Sequence, residues 1–291
     1  MVAPRTPEEG TAANRVHEGS SIEDRVGPRF FFGIPFRSRA AANNWRRVCR
    51  LLDATLASVL QQNDPDLEIL VACHEIPKLS TRDPRVSFLF APHATPRDRL
   101  EQMFDKRAKK IMLAEETCRK GGGYLMLLDS DDLVSKRLTE FVRTHDNKRG
   151  YVVSHGFSYD FRSRRLVPMD DFDRVCGSSV IVYLSSDDCE DNEFDWREYV
   201  GDTWHADFRR RAAELLRPLD ELPFPAAIYV RNTGQNHSVA STDAISMIRA
   251  EAAGTRRRAG DWGRRLPKVP RELAEEFGLQ VLGRNSMRYS G

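Results

Sequence analysis

Gly121–Leu133 reads GGGYLMLLDSDDL. The apolar run Tyr124–Leu128 leads straight into Asp129-Ser130-Asp131-Asp132. A short apolar run bounded by turn residues fits a buried strand of a parallel sheet. In open α/β sheets ligands collect at the carboxyl ends of such strands, and here that end carries three carboxylates. Side chains at i and i+2 of an extended segment point the same way, so Asp129 and Asp131 are expected to converge. Carboxylate oxygens are the ligands that Mg²⁺ and Mn²⁺ prefer. Mg²⁺ usually takes one or two of them and completes its shell with phosphate oxygens and water. One reading of the stretch is therefore a shelf for a metal–diphosphate. The other is plainer: Leu133–Val142 looks helical, and Asp131 or Asp132 then simply caps its start.

The surrounding chain sets the context. Its 291 residues suffice for one large α/β domain or two small ones. Hydrophobic residues make up 40% and charged residues 30%, and the net charge is +2. No global field argues for nucleic acid or a membrane, and no apolar run is long enough to span one. The first twenty residues lack the apolar core of a secretory signal. Cysteines 49, 73, 118, 176 and 189 are odd in number and show no CxxC spacing. A reduced, cytoplasmic protein is expected. Cys73-His74 has no partner pair at zinc-site spacing, which argues against a structural zinc.

Residues 1–27 are polar and read as a flexible tail. Phe30–Ile34 reads as a buried strand stopped by Pro35, and a helix follows from about Asn43 to Gln62. Leu67–Ala72 is a second strand, so the first forty residues of the core make a βαβ unit with a right-handed crossover. Val86–Phe90 is a third strand. A long helix from about Arg97 to Arg119 places Leu100, Met103, Phe104, Ile111, Ala114 and Cys118 on one face. Asp105-Lys106-Arg107 and Lys109-Lys110 lie on the other, as a solvated face or as ligand contacts. Gly121-Gly122-Gly123 ends that helix. Beyond the Asp cluster, Tyr151–Ser158 and Val175–Leu184 read as strands, with Phe161–Arg165 as a hairpin partner. Ser185–Glu193 reads as an acidic loop, Asp202–Leu216 as a helix and Ala226–Val230 as the last strand. Residues 28–240 are expected to form the main domain and 241–291 a basic helical extension.

This order resembles the GT-A fold of nucleotide-sugar glycosyltransferases, particularly the large inverting family 2, over about Arg29–Ser238. The resemblance implies a Rossmann-like, mixed but mainly parallel α/β sheet flanked by helices. Its core is the apolar strand followed by the DxD motif Asp129-Ser130-Asp131. Pro35-Phe36-Arg37 takes the place of the polar loop near the nucleobase, and Glu75 that of an acidic residue near the base. Asp105, Lys106 and Lys109 take the place of residues that approach the nucleotide. Val200-Gly201-Asp202-Thr203-Trp204 stands where the family has an acidic residue at the start of a helix under the acceptor site. Gly201 replaces the usual Glu, and Asp202 is either the catalytic base or a helix cap. His237 stands where a His becomes a further metal or diphosphate ligand; an exposed loop His is the plain alternative.

The resemblance implies transfer of a sugar from a nucleoside-diphosphate sugar, by default a UDP-sugar, to a hydroxyl acceptor such as a glycan or lipid-linked glycan. The implied metal is Mn²⁺ or Mg²⁺ at Asp129, Asp131 and His237, and Asp202 is the expected base. Asp187, Asp188 and Glu190 are the reserve. The patch Arg256-Arg257-Arg258, Trp262 and Arg264-Arg265 is either solvated helix or a peripheral contact with the inner membrane face. Competing readings are a sugar-nucleotide binding module without turnover and a sugar-phosphate nucleotidyltransferase. The second lacks its Gly-rich phosphate loop here. No P-loop and no GxGxxG occurs either.

Overall fold

The computed structural model describes residues 27–190, 195–234, 269–279 and 282. The N-terminal tail, His237 and the basic patch from Arg256 to Arg265 lie outside the described residues. The first half of the chain runs β1 (Phe30–Pro35), α1 (Trp45–Leu60), β2 (Leu67–Cys73), β3 (Val86–Phe90), α2 (Arg99–Arg119) and β4 (Gly123–Leu127). Next come β5 (Leu133–Val134), α3 (Leu138–His145), β6 (Tyr151–Val152), β7 (Gly156–Asp160), β8 (Arg165–Met169) and α4 (Phe172–Val175). The rest is β9 (Val180–Leu184), α5 (Ser186–Glu190), α6 (Trp196–Asp202), a 3₁₀ turn (His205–Asp207), α7 (Phe208–Glu214), β10 (Asp220–Glu221), β11 (Ala227–Arg231) and α8 (Arg271–Glu276).

The fold is a mixed, mainly parallel α/β sheet flanked by helices. Seven strands lie in the order β10-β6-β9-β4-β1-β2-β3. β3, β2, β1 and β4 run parallel, and β9 alone is antiparallel to its neighbours β4 and β6. Parallel strands buried on both faces read as continuous apolar runs, and both faces are covered here. Phe30, Phe32, Ile34, Tyr124 and Met126 pack with Val48, Leu52 and Leu56 of α1. Phe31, Leu70, Leu125 and Leu127 pack with Leu113 and Ala114 of α2, Val200 of α6 and Phe208 of α7. A four-stranded sheet, β5-β11-β7-β8, packs against Leu51 and Ala54 of α1.

Several elements depart from the sequence expectation. Residue 133 starts no helix: Leu133 and Val134 pair with Ile228 and Ala227 of β11, and α3 begins only at Leu138. The Tyr151–Ser158 run is split between the two sheets, because Val153 hydrogen-bonds to Ser179 and β7 then pairs with β11. Its hairpin partner is Arg165–Met169, reached through a turn over residues 161–164. The helix expected from Asp202 is two helices with Asp202 ending the first. The acidic loop holds the short helix α5, where Cys189 forms a disulfide with Cys118 of α2, so the cysteines are not all reduced.

The largest departure is in α2. Leu100, Met103 and Phe104, placed on the core face by their spacing, are 60%, 58% and 60% exposed. Asp105 and Lys109 are buried instead, with Leu113 and Ala114 a turn later. The N-terminal half of α2 turns its charged side inward because those charges have partners there.

Candidate functional site

β1, β2 and β4 are parallel neighbours, so the loops that follow them open on one edge of the sheet. Antiparallel β9 starts at that edge and brings Cys176-Gly177-Ser178 to it. After Leu128, whose N–H still donates to Gly33, the chain turns rather than staying extended. The Asp132 N–H donates to the Asp129 carbonyl at 3.1 Å. Asp129 and Asp131 are therefore brought together by a turn, not by strand alternation.

The three carboxylates do different things. Asp132 is fully buried and caps no helix. It accepts from Ser178 Oγ at 2.6 Å, Cys176 Sγ at 3.1 Å and the Val230 N–H at 3.0 Å. It thereby ties the Asp turn to β11 and to the start of β9. Burial, then the charges of Asp131 and Asp129, hold its carboxyl well above the usual range. Asp129 is partly open and accepts from Lys106 Nζ at 2.6 Å. Its N–H donates to Ser178 Oγ at 2.9 Å. Burial opposes its charge, but Lys106, Lys110 and His205 together hold its carboxyl below the usual range. A Cβ on Gly177 would stand 3.2 Å from Asp129 Oδ2, so glycine there keeps that oxygen clear.

Asp131 is half-buried. Burial and then the neighbouring Asp129 push its carboxyl up to about 7. The Arg37 guanidinium, at the end of β1, is pulled down by burial and supported by both Asp131 and Asp129. Two crowded carboxylates, one with its proton held to neutral pH, are a donor set that a divalent cation relieves. The residues present fit Mg²⁺ or Mn²⁺.

A second polar network lies beside the loop after β1. Buried Lys109 donates to the Phe36 carbonyl and to Asp105 Oδ2, both at 2.8 Å. His74 Nε2 and His93 Nε2 each lie 2.8 Å from Asp105 Oδ1. Glu75 accepts from the Arg39 N–H. Burial alone would raise the Asp105 carboxyl, but Lys109, His93 and His74 outweigh it and hold it below the usual range. Phe36 turns its ring into the core against Trp45, so only its carbonyl faces this network. Pro35 ends β1, and Ser130 is half-buried at the Asp turn. Sequence reading left His74 without partners. The sheet supplies them from the loop after β3 and from α2.

Asp202 is exposed at the carboxyl end of α6, where Asp195 is the N-cap, so the cap reading fails. Arg107 of α2 grips both its oxygens and holds its carboxyl below the usual range. Lys110 connects the two regions, since its charge acts on both Asp129 and Asp202. Burial and Lys106 pull Lys110 down to about 8. Gly201 has a packing reason: a Cβ there would meet Ile111 of α2 at 2.9 Å. Asp188, one of the reserve carboxylates, is engaged by Arg217 and Ser185. Sequence reading missed Ser178, Gly177 and His205. A run of small residues opening a strand was the only available sign of the first two.

No protein-family model matches the chain, and no curated protein does. Among solved structures it is similar to a proposed nucleotide-diphospho-sugar transferase from Desulfovibrio desulfuricans G20. That likeness covers 79% of this chain and 96% of the other, at 13% identity and a TM-score of 0.28. At those values it carries no weight for the activity of this chain.

Proposed function

We propose that the chain is a metal-dependent glycosyltransferase of GT-A type, taking its sugar from a nucleoside-diphosphate sugar and passing it, with inversion, to a hydroxyl acceptor. The observation that carries this reading is the pair Asp129 and Asp131 on the turn after β4, crowded enough to lift Asp131 to about 7 and bordered by Lys106 and Arg37. Bound there, Mn²⁺ or Mg²⁺ would supply Lewis-acid stabilisation of a departing diphosphate. Lys106 and Arg37 add fixed positive charge at the place where the leaving group gains negative charge. Asp202 is our base for the acceptor hydroxyl. Arg107 keeps it ionised, the form a base needs, and an acceptor must share or displace that ion pair.

The reading without turnover drew on the missing Glu at Gly201. A Cβ at that position would meet Ile111 of α2 at 2.9 Å, so a Glu could enter only if Ile111 moved. Calorimetry of UDP and GDP, with and without Mn²⁺, tests the site in wild type and Asp131→Ala. Metal-dependent binding is expected in wild type and none in the variant; equal affinity in the two refutes the assignment. A donor-hydrolysis assay with metal then separates an enzyme from a binding module.

A further inference from the structure

Among the described residues one group of three potential metal ligands comes together: His74, His93 and Asp105. Their ligand atoms all lie within 4.8 Å of one another. We propose that these three side chains bind a transition-metal dication of the zinc class, at a site separate from Asp129 and Asp131 and independent of the glycosyltransferase reading.

The argument starts with how the three arrive. His74 follows β2 and His93 lies three residues beyond β3. The β2–β3 ladder continues past the strands, with the Ala91 N–H donating to the Cys73 carbonyl at 2.8 Å. That bond sets both imidazoles at one sheet edge, ring centroids 5.1 Å apart and edge to face. Asp105 reaches them from the second turn of α2. Lys109, itself held by the Phe36 carbonyl, occupies Asp105 Oδ2 and leaves Oδ1 aimed between the two Nε2 atoms. Three elements thus deliver two imidazole nitrogens and one carboxylate oxygen to a common point.

The donor set chooses the metal. Two imidazoles and one carboxylate suit Zn²⁺, Co²⁺ or Ni²⁺, whereas Mg²⁺ and Ca²⁺ prefer oxygen alone. Tetrahedral zinc with bonds near ~2.1 Å separates its ligand atoms by roughly 3.4 Å. The two 2.8 Å contacts to Oδ1 must therefore open by about 0.6 Å, a movement within reach of His93 on its connecting segment. The His93 side chain is 33% exposed and leaves a way in, while His74 at 5% and Asp105 at 9% form the buried floor. On binding, each imidazole gives up the Nε2 hydrogen it shares with Asp105 Oδ1, carries its hydrogen on Nδ1 and offers the Nε2 lone pair to the metal. The bound ion would tie the ends of β2 and β3 to α2, directly beneath the loop after β1.

Cobalt titration of tag-free, chelator-treated protein tests this. Four-coordinate Co²⁺ gives strong visible absorption, and a six-coordinate surface ion does not. Wild type and Asp131→Asn are both expected to develop that spectrum at one equivalent, displaced by Zn²⁺. Zn²⁺ at a hundredfold excess over its Kd should raise the melting temperature by roughly 5 °C. His93→Ala, on the connecting segment, should fold and lose both signals; His74→Gln should lose them as well. A featureless titration in wild type, or a spectrum that survives both His variants, overturns the site.

Discussion

At the scale of the residue, the Asp cluster shows how alike three neighbouring carboxylates are in sequence and how unlike in the fold. Asp132 is consumed by Ser178, Cys176 and Val230, and Asp129 is shared with Lys106. Asp131 is left crowded, with its carboxyl raised from 3.8 to about 7. Between those two values the native state holds a proton that the unfolded chain has given up. Stability therefore falls as pH rises from about 4 to about 7 and levels off above. Asp131→Asn removes the charge that causes this. Metal-free Asp131→Asn is expected to melt above wild type at pH 8 and to converge with it near pH 4. Adding Mn²⁺ at pH 8 should stabilise wild type and leave the variant unchanged. Parallel pH profiles for the two proteins would show that Asp131 does not carry the strain.

At the scale of the element, α2 shows where legibility stops. β1, α1, β2, β3 and β4 were legible because apolar runs and helical spacing report burial directly. The strand-end Asp cluster was legible for the same reason, since it follows the most continuous of those runs. In α2 the rule fails in its first half. Periodicity assigns charges to solvent, yet Asp105 and Lys109 are buried because they bond each other, two imidazoles and a main-chain carbonyl. No local pattern announces partners that come from residues 36, 74 and 93. The two readings of α2 differ sharply in cost. If Phe104 faced the core, Phe104→Ser would remove several kcal/mol, about 3–5 for Phe→Ala. Its 60% exposure predicts a change within about 0.5 kcal/mol. Leu113→Ala, one helix face away and fully buried, should cost about 2–5 kcal/mol. Urea unfolding of both variants checks the orientation, and a large loss for Phe104→Ser would reverse it.

At the scale of the molecule, the fold that carries the site is held from three directions. The parallel strands align the loops after β1, β2 and β4, and Asp132 ties them to β11 of the second sheet. The Cys118–Cys189 disulfide joins the far end of α2 to α5. The third brace comes from late in the chain, where the sequence reads as a basic helical extension with no assigned contact to the sheet. Phe277, Leu279 and Leu282, after α8, pack with Leu51 and Ala54 of α1 and with Leu133, Ile228 and Val230 of the second sheet. Glu276 accepts from Ser135 Oγ at 2.6 Å and Arg137 Nε at 2.9 Å, and its carbonyl accepts from Gln61. β5 and α1 are thereby clamped just past the Asp turn. Burying one Phe and two Leu side chains contributes roughly 1.5–3 kcal/mol each before entropy is counted. A domain this size has about 5–15 kcal/mol in all. Ending the chain at residue 268 should therefore lower the unfolding free energy by several kcal/mol, with a lower denaturation midpoint, and expose Leu51, Ile228 and Val230 to hydrophobic dyes. It should also weaken metal-dependent nucleotide binding, because the turn that presents Asp129 and Asp131 leads directly into the unclamped β5. An unchanged midpoint in the truncated protein would mean that Phe277, Leu279 and Leu282 rest on the fold without supporting it.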